Sequence, residues 1–347
     1  MEKIRLGRTG MMVSRLGFGG IPIQRDTEEE AVAVVKRCLD LGINYIDTAN
    51  GYSTSEERIG KAVAGRRNKV YIATKTGGRT REEVEKHLAL SLQRLQTDYI
   101  DLYQFHGVNN QKHLDLILES NGLLKVVEKA QKDGKIRHIG ITSHQIDIAR
   151  KAVASDHFET IMFPFNFVTD EAATELIPLA RQHDVGFIAM KPLAGGMLDN
   201  AAIAFKYLFQ FPDIIPIPGI EKTSEIDEIA GILEHSPKLS KADKTQMDRM
   251  KAELGKEFCH RCDYCQPCTA EIPISTVMTS PSFAKRLPEE RFYSDMIVKA
   301  MEAAAKCVDC GKCEERCPYK LPIREVLKDR VKWFDAKKKE YLARKGS

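Results

Sequence analysis

Short apolar runs alternate with amphipathic helical patterns along most of this 347-residue sequence. The runs are rich in β-branched and aromatic residues, as in VYIAT at 70–74, and therefore predict buried strands. A helical pattern follows each run; at 27–41, Thr27 is the expected N-cap and Gly42 the residue that ends the helix. Eight alternating strands and helices predict an α/β fold, a closed (β/α)8 TIM barrel of parallel strands.

The predicted elements can be placed along the chain. Barrel strands are expected at 16–18, 44–46, 70–74, 99–105, 136–141, 160–163, 185–189 and 214–217. Helices are expected near 27–41, 55–64, 80–95, 121–133, 145–155, 170–183, 200–211, 223–235 and 240–255. A hairpin formed by 3–6 and 11–14, around the turn GRTG, is expected before the first strand.

Polar residues capable of chemistry stand at the ends of three successive predicted strands. Asp47, Lys75 and His106 each directly follow a strand, and Tyr52 lies in the loop after Asp47. Because barrel enzymes hold their active sites at the carboxyl-terminal ends of the strands, we expect these four side chains to form one site. Taken singly, each has an ordinary explanation as a helix cap, a loop residue, a surface charge or a core histidine. Their coincidence at matching barrel positions is what favours catalysis.

Longer motifs surround these residues, and they resemble those of the aldo-keto reductases. They are DTANGY at 47–52, ATK at 73–75, LQTDYIDLYQFH at 95–106, GKIRHIGITSH at 134–144 and PIPGI at 216–220. The resemblance covers roughly residues 1–240. It implies a (β/α)8 barrel and an NAD(P)-dependent oxidoreductase, which moves a hydride between a nicotinamide and an aldehyde, ketone or alcohol.

The resemblance further implies that Asp47, Tyr52, Lys75 and His106 are a catalytic tetrad. Tyr52 would be the general acid that protonates the carbonyl oxygen. An unperturbed phenol titrates near ~10, so an ammonium at Lys75 would help by stabilising the phenolate. Asp47 would pair with Lys75, and His106 would donate a hydrogen bond to the carbonyl oxygen and orient it.

NAD(H) or NADP(H) is the cofactor that the resemblance implies, bound in an extended form without a glycine-rich fingerprint. LGFGG at 16–20 is therefore not expected to act as such a fingerprint. Ser143 and Asn166 would hold the carboxamide, and Met190 stands where related proteins often stack an aromatic ring. The expected cofactor-binding residues are Gly20, Asp47, Ser143, Asn166, Lys191, Leu193, Gly219, Ile220 and Lys222.

The loop after the eighth predicted strand bears on the choice between the two nicotinamides. In PIPGIEKTSEIDE, Lys222 is accompanied by four acids, Glu221, Glu225, Asp227 and Glu228. Many NADP-using members of the family begin this loop with a lysine and carry an arginine a few residues on. A 2′-phosphate favours Arg or Lys, whereas a ribose hydroxyl can donate to a carboxylate. The loop therefore predicts that NADH is used at least as well as NADPH.

Eight of the nine cysteines fall in two groups near the C-terminus. The second group fits C-x2-C-x2-C-x3-C-P, the ferredoxin run that ligates [4Fe–4S] clusters; the first is one residue shorter before its last cysteine. We therefore predict a ferredoxin-like domain with two [4Fe–4S] clusters, and a single cluster or zinc as alternatives. The expected metal ligands are Cys259, Cys262, Cys265, Cys268, Cys307, Cys310, Cys313 and Cys317.

The fourth cysteine of such a run ligates the other cluster when two are present. Crossed ligation would give one cluster to Cys259, Cys262, Cys265 and Cys317. It would give the other cluster to Cys307, Cys310, Cys313 and Cys268. The ninth cysteine, Cys38, lies in a predicted helix and is expected to be a small buried hydrophobe without chemistry.

Composition and domain boundaries complete the prediction. With 43% hydrophobic and 29% charged residues and a net charge of +4, the sequence is typical of a soluble globular protein without a nucleic-acid or membrane partner. MEKIRLGRTG has no apolar signal region, and no 18-residue apolar run occurs, which predicts a cytoplasmic protein without a membrane span. The expected domains are a barrel at 1–240, a linker helix and iron–sulfur domain at 241–330, and a basic tail at 331–347.

Two functions of different classes are compatible with these features. The first is an enzyme that acts on a small carbonyl or alcohol substrate, whose clusters serve electron transfer, redox sensing or structure. Because a nicotinamide passes a hydride and a cluster passes single electrons, linking them would require a flavin, and the sequence shows no flavin site. A ferredoxin or a flavoprotein is the redox partner that the clusters would use. The alternative is an iron–sulfur electron-transfer protein that uses the barrel as a docking scaffold; the complete tetrad counts against it.

Overall fold

The computed structural model describes residues 1–235 and 238–345. The chain opens with an antiparallel hairpin of β1 (Lys3–Arg5) and β2 (Met12–Ser14), as predicted. Eight parallel strands follow, each paired with the next along the chain. They are β3 (Phe18–Gly19), β4 (Tyr45–Asp47), β5 (Tyr71–Thr76), β6 (Ile100–Phe105), β7 (Ile136–Thr142), β8 (Thr160–Pro164), β9 (Gly186–Met190) and β10 (Ile214–Ile217).

Backbone hydrogen bonds join the first of these strands to the last. The N–H of Gly17 donates to Pro216 O (2.9 Å) and that of Gly19 to Pro218 O (2.8 Å), and Gly19 pairs in parallel with Gly219. A Cβ atom at Gly19 would lie 2.8 Å from Pro218 O, so glycine is needed for this close approach. The sheet therefore closes into a barrel, which confirms the predicted (β/α)8 fold.

Helices alternate with the strands, and their starts follow capping signals in the sequence. In α1 (Glu28–Asp40), Thr27 and Glu30 form a reciprocal capping box, which confirms the predicted start. The helices that follow are α2 (Ser55–Ala62), α3 (Arg81–Leu95), α4 (Gln111–Leu118), α5 (Leu123–Lys132), α6 (Ile146–Ala154), α7 (Leu176–Gln182), α8 (Ala201–Leu208), α9 (Thr223–Glu234) and α10 (Lys241–Leu254).

Two helical regions differ from the prediction. α4 is an additional helix, which Asn110 caps by accepting a hydrogen bond from the N–H of His113 (2.9 Å). The helix expected at 170–183 begins only at Leu176, after a short 3-10 turn at Glu171–Ala173. Pro178 then lies in the first turn of α7, where its missing N–H is tolerated.

The hairpin closes the amino-terminal end of the barrel. Leu6, Met11 and Val13 are buried within the cluster of side chains that fills the barrel interior. The backbone N–H of Arg8 donates to Asp184 O (2.6 Å), just before β9 begins. The carboxyl-terminal ends of the strands, where barrel enzymes bind their substrates, lie at the opposite end.

The chain divides into two compact units, Met1–Lys244 and a second unit that begins at Thr245. The second unit has a hydrophobic core of its own. Among the described helices of both units, none has the length and apolar character needed to cross a membrane. The helices of the second unit are α11 (Ile274–Met278), α12 (Ser280–Ala284), α13 (Glu289–Phe292), α14 (Asp295–Ala305), α15 (Lys312–Arg316) and α16 (Ile323–Lys345).

The basic segment at 331–347, expected as a solvated helix or a frayed tail, is helical as far as Lys345 and belongs to α16. Both Phe334 and Tyr341 are buried in this helix. Tyr341 stacks on Tyr293 with 4.3 Å between the ring centroids. Because side chains two turns apart share one helix face, these two aromatic residues form an apolar face that the high lysine content obscured. Residues 346–347, and residues 236–237 of the predicted barrel domain, lie outside the described residues.

Candidate active site and cysteine groups

The residues predicted to carry the chemistry lie at the carboxyl-terminal ends of three neighbouring strands. Asp47 is the last residue of β4, Lys75 is next to last in β5, and His106 directly follows β6. These strands pair in that order, so their ends meet. Tyr52 lies in the loop after β4, where its N–H donates to Ala49 O (2.9 Å) and closes a tight turn.

Lys75 and Asp47 form a buried ion pair inside the barrel. The Lys75 ammonium donates to Asp47 Oδ1, and the two residues are only 1% and 3% exposed. The ammonium also donates to Thr48 O, while Gln104 Nε2 donates to Asp47 Oδ2 (3.1 Å). Each carboxylate oxygen therefore has a donor, which is the compensation that a buried ion pair requires.

The charges of this pair follow from its surroundings. Burial alone would lower the pKa of Lys75, but the carboxylate of Asp47, followed by Tyr52 and Glu56, outweighs burial and raises it. Burial raises the pKa of Asp47, and the ammonium of Lys75 opposes this rise. Since the two groups are in direct contact, each charge stabilises the other, and we expect Lys75 to be an ammonium paired with the Asp47 carboxylate.

Tyr52 and His106 lie in front of this ion pair and are both half-buried. The Lys75 ammonium is 5.1 Å from the centroid of the Tyr52 ring. The Tyr52 and His106 rings meet edge to face, with 5.8 Å between their centroids. A phenol, an imidazole and a fixed positive charge therefore converge at the carboxyl-terminal end of the barrel.

This arrangement can supply a proton and stabilise negative charge at one point. The phenol and the imidazole are partly exposed, whereas the ammonium behind them is held by hydrogen bonds and shielded from water. A charge that is held in place in a buried site stabilises a developing anion more than a solvated charge does. The site therefore suits a reaction in which an oxygen atom gains an electron pair and a proton.

The expected cofactor-binding residues lie at the same ends of the strands. Gly20 follows β3, and a Cβ atom there would lie 2.8 Å from Ser55 Oγ, so the backbone packs closely against α2. Ser143 directly follows β7, and Asn166 lies two residues beyond β8. The others are Lys191 and Leu193 after β9, and Gly219, Ile220 and Lys222 after β10.

Ser143 and Asn166 are buried, and both already organise their own loops. Ser143 Oγ accepts a hydrogen bond from the N–H of Gln145 (3.1 Å). Asn166 Oδ1 accepts from the N–H of Thr169 (2.9 Å), and Asn166 Nδ2 donates to Lys191 O (2.9 Å). Because a side-chain amide carries two N–H donors, Asn166 can hold these loops and still donate to a ligand.

The loop after β9 has an unusual backbone. Lys191 and Ala194 adopt φ values of +57° and +50°, in the left-handed region that side chains other than glycine rarely occupy. Met190, immediately before the loop, and Leu193 within it are half-buried. Backbone of this kind occurs in ligand-binding loops, among other places, and the role of this segment in cofactor binding stays a prediction.

The amino-terminal end of α9 is already occupied by a carboxylate of the chain itself. Glu225 Oε2 accepts hydrogen bonds from the backbone N–H groups of Glu221 (2.7 Å) and Lys222 (3.0 Å). Such N–H groups, in the loop after the last barrel strand, are the donors that a phosphate would otherwise use.

More acidic groups gather beside this helix start. Arg25 Nε lies 3.5 Å from Glu221 Oε1 and neutralises part of the negative charge. Burial, followed by the charges of Glu221 and Glu30, raises the pKa of Asp26 to about 6. The Oδ2 atom of Asp26 is buried and has no hydrogen-bond partner within the described part of the chain. This edge of the barrel therefore offers a hydrogen-bond acceptor, and it is unfavourable for a dianion.

Three residues at the site were not predicted from the sequence: Gln104, Arg25 and Asp26. Gln104 stands two residues before His106 on β6, and side chains at that spacing share one face of a strand. A glutamine between two aromatic residues near the end of the strand is the available signal. Arg25 and Asp26 lie before α1, and they come close to the loop after β10 only because the barrel closes. The sequence has no local signal for this contact.

In the second unit, one cavity brings together cysteines from both groups. It has about 330 Å³ of empty space, part of it open to solvent, and its walls include Arg324 as well as Cys265. Thr269 Oγ1 lies 3.5 Å from Cys310 Sγ, across the two groups. Four further cysteines line this cavity, and we call them the cavity cysteines: Cys268, Cys307, Cys310 and Cys313.

The start of the first cysteine group is tied to the end of the second. His260 stacks on Tyr319 with 3.7 Å between ring centroids, and Arg316 Nη1 donates to Cys265 O (3.3 Å). His260 follows Cys259, and Tyr319 lies two residues after Cys317. The fold therefore brings the start of the first group close to the segment that follows Cys317.

None of the nine cysteines, all of which lie within the described residues, forms a disulfide bond. Burial raises the pKa of the Cys265 thiol to about 12, with the neighbouring Cys259 as the next-largest cause. Cys38 is fully buried in α1, within the barrel core. Across residues 1–235 and 238–345, no three His, Cys, Asp or Glu side chains are grouped closely enough to hold a single metal ion.

Comparison with known proteins identifies the barrel. A profile of the Aldo/keto reductase family matches residues 15–203 and ends before the cysteine groups. An uncharacterized oxidoreductase of Bacillus subtilis, YqkF, is 31% identical over 212 residues, which cover 57% of this chain and 67% of that protein. The L-galactose dehydrogenase of Arabidopsis thaliana is 34% identical over 217 residues, 57% of this chain and 67% of that protein.

Solved structures agree with the sequence matches. An aldo-keto reductase from Bacillus halodurans, in its holo form, superimposes with a TM-score of 0.63 at 25% identity, over 72% of this chain and 96% of that one. An aldo-keto reductase from Klebsiella pneumoniae, in complex with NADPH, shares the fold with a TM-score of 0.62 at 23% identity, over 72% and 95%. Since the family profile spans over half of the sequence, this chain belongs to the aldo/keto reductase family and is an oxidoreductase.

Proposed function

We propose that residues 1–240 form an NAD(P)-dependent carbonyl reductase, which reduces an aldehyde or ketone or oxidises the matching alcohol. The observation that carries the proposal is the buried Lys75–Asp47 ion pair directly behind the Tyr52 ring. Burying such a pair rarely stabilises a fold, so a functional reason for it is the better explanation. A fixed ammonium beside an accessible phenol suits the protonation of a carbonyl oxygen.

Each residue of the tetrad has a distinct role in this proposal. The Tyr52 hydroxyl transfers its proton to the carbonyl oxygen, and Lys75 stabilises the phenolate that remains. His106 donates a hydrogen bond to the same oxygen and orients the substrate. Asp47, held in turn by Gln104, keeps Lys75 charged and in place.

A bound nicotinamide would supply the hydride. Ser143 and Asn166 would hold its carboxamide, and the strained loop after β9 would lie along the pyrophosphate. Two observations support this fit: Asn166 Nδ2 has donor capacity beyond its own loop, and Asp26 Oδ2 is a buried acceptor without a partner in the described chain. The remaining residues that would contact the cofactor are Gly20, Asp47, Lys191, Leu193, Gly219, Ile220 and Lys222.

Turnover by the full-length protein tests the proposed activity. Under anaerobic conditions, a panel of aldehydes and ketones is offered with NADH or NADPH. The proposal predicts one alcohol formed for each nicotinamide oxidised. If the barrel is inert toward the whole panel while the protein exchanges electrons with a ferredoxin, the electron-transfer function is the correct one.

We expect NADH to bind at least as tightly as NADPH. A 2′-phosphate would meet Glu225 at the start of α9, with Glu221 and Asp26 nearby. Of the cations in this region, Arg25 is paired with Glu221, Arg58 donates to the backbone oxygen of Asp26, and the third is Lys222. Dissociation constants of both nicotinamides at one ionic strength provide the measurement. A preference for NADPH of tenfold or more, about 1.4 kcal/mol, contradicts this reading of the loop.

A matched pair of variants isolates the contribution of Glu225. Glu225→Gln removes a carboxylate from the helix start, whereas Glu228→Gln removes the same charge from an exposed position within α9. We expect Glu225→Gln to tighten NADPH binding about two- to fivefold, equivalent to about 0.3–1 kcal/mol for a charge at a helix terminus. Equal effects of the two variants would show that only net charge matters.

For the second unit we propose an iron–sulfur domain within residues 241–330, with two [4Fe–4S] clusters. Thiolates are the ligands that such clusters prefer. Support comes from the cavity that assembles cysteines of both groups, and from the stacking of His260 on Tyr319 beside the remaining set. The cavity cysteines would hold one cluster, and Cys259, Cys262, Cys265 and Cys317 the other. A ferredoxin or flavoprotein would be the partner that exchanges single electrons with them.

Protein purified without oxygen is expected to contain about eight irons and eight acid-labile sulfides per chain, which corresponds to two [4Fe–4S] clusters. Iron and sulfide analysis of the purified protein is the measurement. About four irons and four sulfides would indicate a single cluster. Stoichiometric zinc without sulfide would show that the cysteines form zinc sites.

Single cysteine variants test the crossed assignment. Cys259→Ser and Cys268→Ser should impair different clusters, although both residues belong to the first sequence group. Combining the two substitutions should therefore remove both clusters, whereas ligation within each group would leave about four irons. Cys38→Ala is the control, because Cys38 is buried in the barrel core and belongs to neither set. Loss of iron from the Cys38 variant would show that iron content reports overall folding rather than ligation.

A further inference from the structure

The first turn of α16 places a cation beside the cavity cysteines. Arg324 is the second residue of this helix and lines the cavity. A Cβ atom built at Gly311, directly after Cys310, would lie 3.8 Å from the guanidinium carbon of Arg324. The guanidinium group is therefore in van der Waals range of the loop that carries the second cysteine group.

Neighbouring acceptors hold the guanidinium in place. Glu314 accepts hydrogen bonds from the backbone N–H of Arg324 (2.9 Å) and from its Nη2 (2.8 Å). Arg324 Nη1 donates to Asp309 O (3.2 Å). Both terminal nitrogens therefore have acceptors on either side of Cys310, and the orientation of the guanidinium plane is fixed.

The third nitrogen of this side chain has no such contact. Arg324 Nε is buried and lacks a hydrogen-bond partner within residues 1–235 and 238–345. Buried N–H groups are nearly always hydrogen-bonded, and an exception calls for an explanation such as a ligand at that place. Because the side chain lines a cavity that five cysteines also line, the acceptor that its chemistry fits best is sulfur.

We propose that Arg324 donates a hydrogen bond from Nε to the cluster held by the cavity cysteines and thereby raises the reduction potential of that cluster. The inference rests on the proposed iron–sulfur domain. Hydrogen bonds to the sulfurs and nearby charge are among the factors that set such potentials. Reduction by one electron, taken from the reductant added in a titration, adds one negative charge and breaks no bond. An arginine, which stays cationic, favours the more negative state.

A second cation on the same helix provides a matched control. Lys328 lies one turn beyond Arg324, and its Nζ donates to Asp309 Oδ2 (2.5 Å). In the described part of the chain, Lys328 is not among the residues that line the cavity. Lys328→Gln removes the same charge from the same region without removing a donor that faces the cysteines.

The test is a redox titration of the full-length protein, followed by electron paramagnetic resonance, for the wild type, Arg324→Gln and Lys328→Gln. Iron and sulfide are measured on the same samples. In Arg324→Gln we expect one of the two potentials to fall by about 59 mV, a tenfold change in the equilibrium constant of a one-electron couple. The other potential and the iron content should match the wild type, and Lys328→Gln should move the potential much less.

Failure of the iron–sulfur proposal and failure of the inference about Arg324 give different results. Wild-type protein without iron and sulfide refutes the clusters themselves, and the role of Arg324 with them. Wild-type iron content with unchanged potentials in Arg324→Gln refutes the role of Arg324 alone, as does an equal shift in Lys328→Gln. If Arg324→Gln loses iron, the variant Arg324→Lys is titrated in its place. That variant should keep its iron and show a lowered potential, and loss of iron or an unchanged potential there also refutes the role.

Discussion

Tyr52→Phe is expected to lower kcat for carbonyl reduction by about 10²–10⁴-fold, the usual contribution of a general acid. Phenylalanine preserves the ring that lies 5.1 Å from the Lys75 ammonium and meets His106 edge to face. Only the hydroxyl is lost, and its main effect is on the oxygen that gains charge in the transition state. Nicotinamide affinity should therefore change little. Steady-state rates with an aldehyde, together with nicotinamide dissociation constants, measure both effects.

Tyr71→Phe is the matched control for this substitution. Tyr71 begins β5 and packs against the cluster inside the barrel, away from the strand ends that carry the tetrad. Removing its hydroxyl should leave kcat unchanged. If Tyr52→Phe keeps more than about a tenth of the wild-type rate, well above the range for a general acid, another group protonates the substrate.

The second large effect is expected at Lys75. Lys75→Met leaves the Asp47 carboxylate buried without its counter-charge, which typically lowers the free energy of unfolding by about 3–5 kcal/mol. Activity should be lost as well, because the phenolate of Tyr52 would no longer be stabilised. Urea unfolding followed by circular dichroism measures the stability. Lys61→Met is the control: the Lys61–Glu28 pair is about half exposed on both sides and should matter little.

A double variant separates the effect on stability from the effect on catalysis. In Asp47→Leu/Lys75→Met both charges are gone, and apolar replacements for a buried pair are often neutral or stabilising. The double variant should therefore unfold at a higher urea concentration than Lys75→Met, yet remain inactive. Activity that returned together with stability would show that the ion pair supports the fold and not the chemistry.

Much of the barrel and the tetrad could be predicted from the sequence because their signals are local. A buried strand is visible in the sequence as an apolar run. In a parallel barrel, the residue that follows such a strand lies at the carboxyl-terminal end of the barrel. Asp47, Lys75 and His106 were assigned to one end of the barrel by this argument alone. The capping box of Thr27 and Glu30 is likewise contained within four consecutive residues.

The contacts that could not be predicted join segments distant in sequence. The hydrogen bond from Gln104 to Asp47 depends on strand register, and the pairing of Arg25 with Glu221 depends on barrel closure. The buried Nε of Arg324 depends on how α16 meets the cysteine loops. In each case the residue is visible in the sequence, but the group that it contacts is not, because that contact depends on tertiary packing.

The most direct measurement of the central claim follows the transferred hydrogen. The full-length protein is given an aldehyde and a reduced nicotinamide in which both hydrogens of the reactive carbon are replaced by deuterium, and the alcohol product is analysed by mass spectrometry and NMR. The proposed reductase predicts one deuterium on the carbinol carbon of each alcohol molecule. Alcohol without deuterium at that carbon would show that electrons and protons travel separately, and absence of alcohol would refute carbonyl reduction itself.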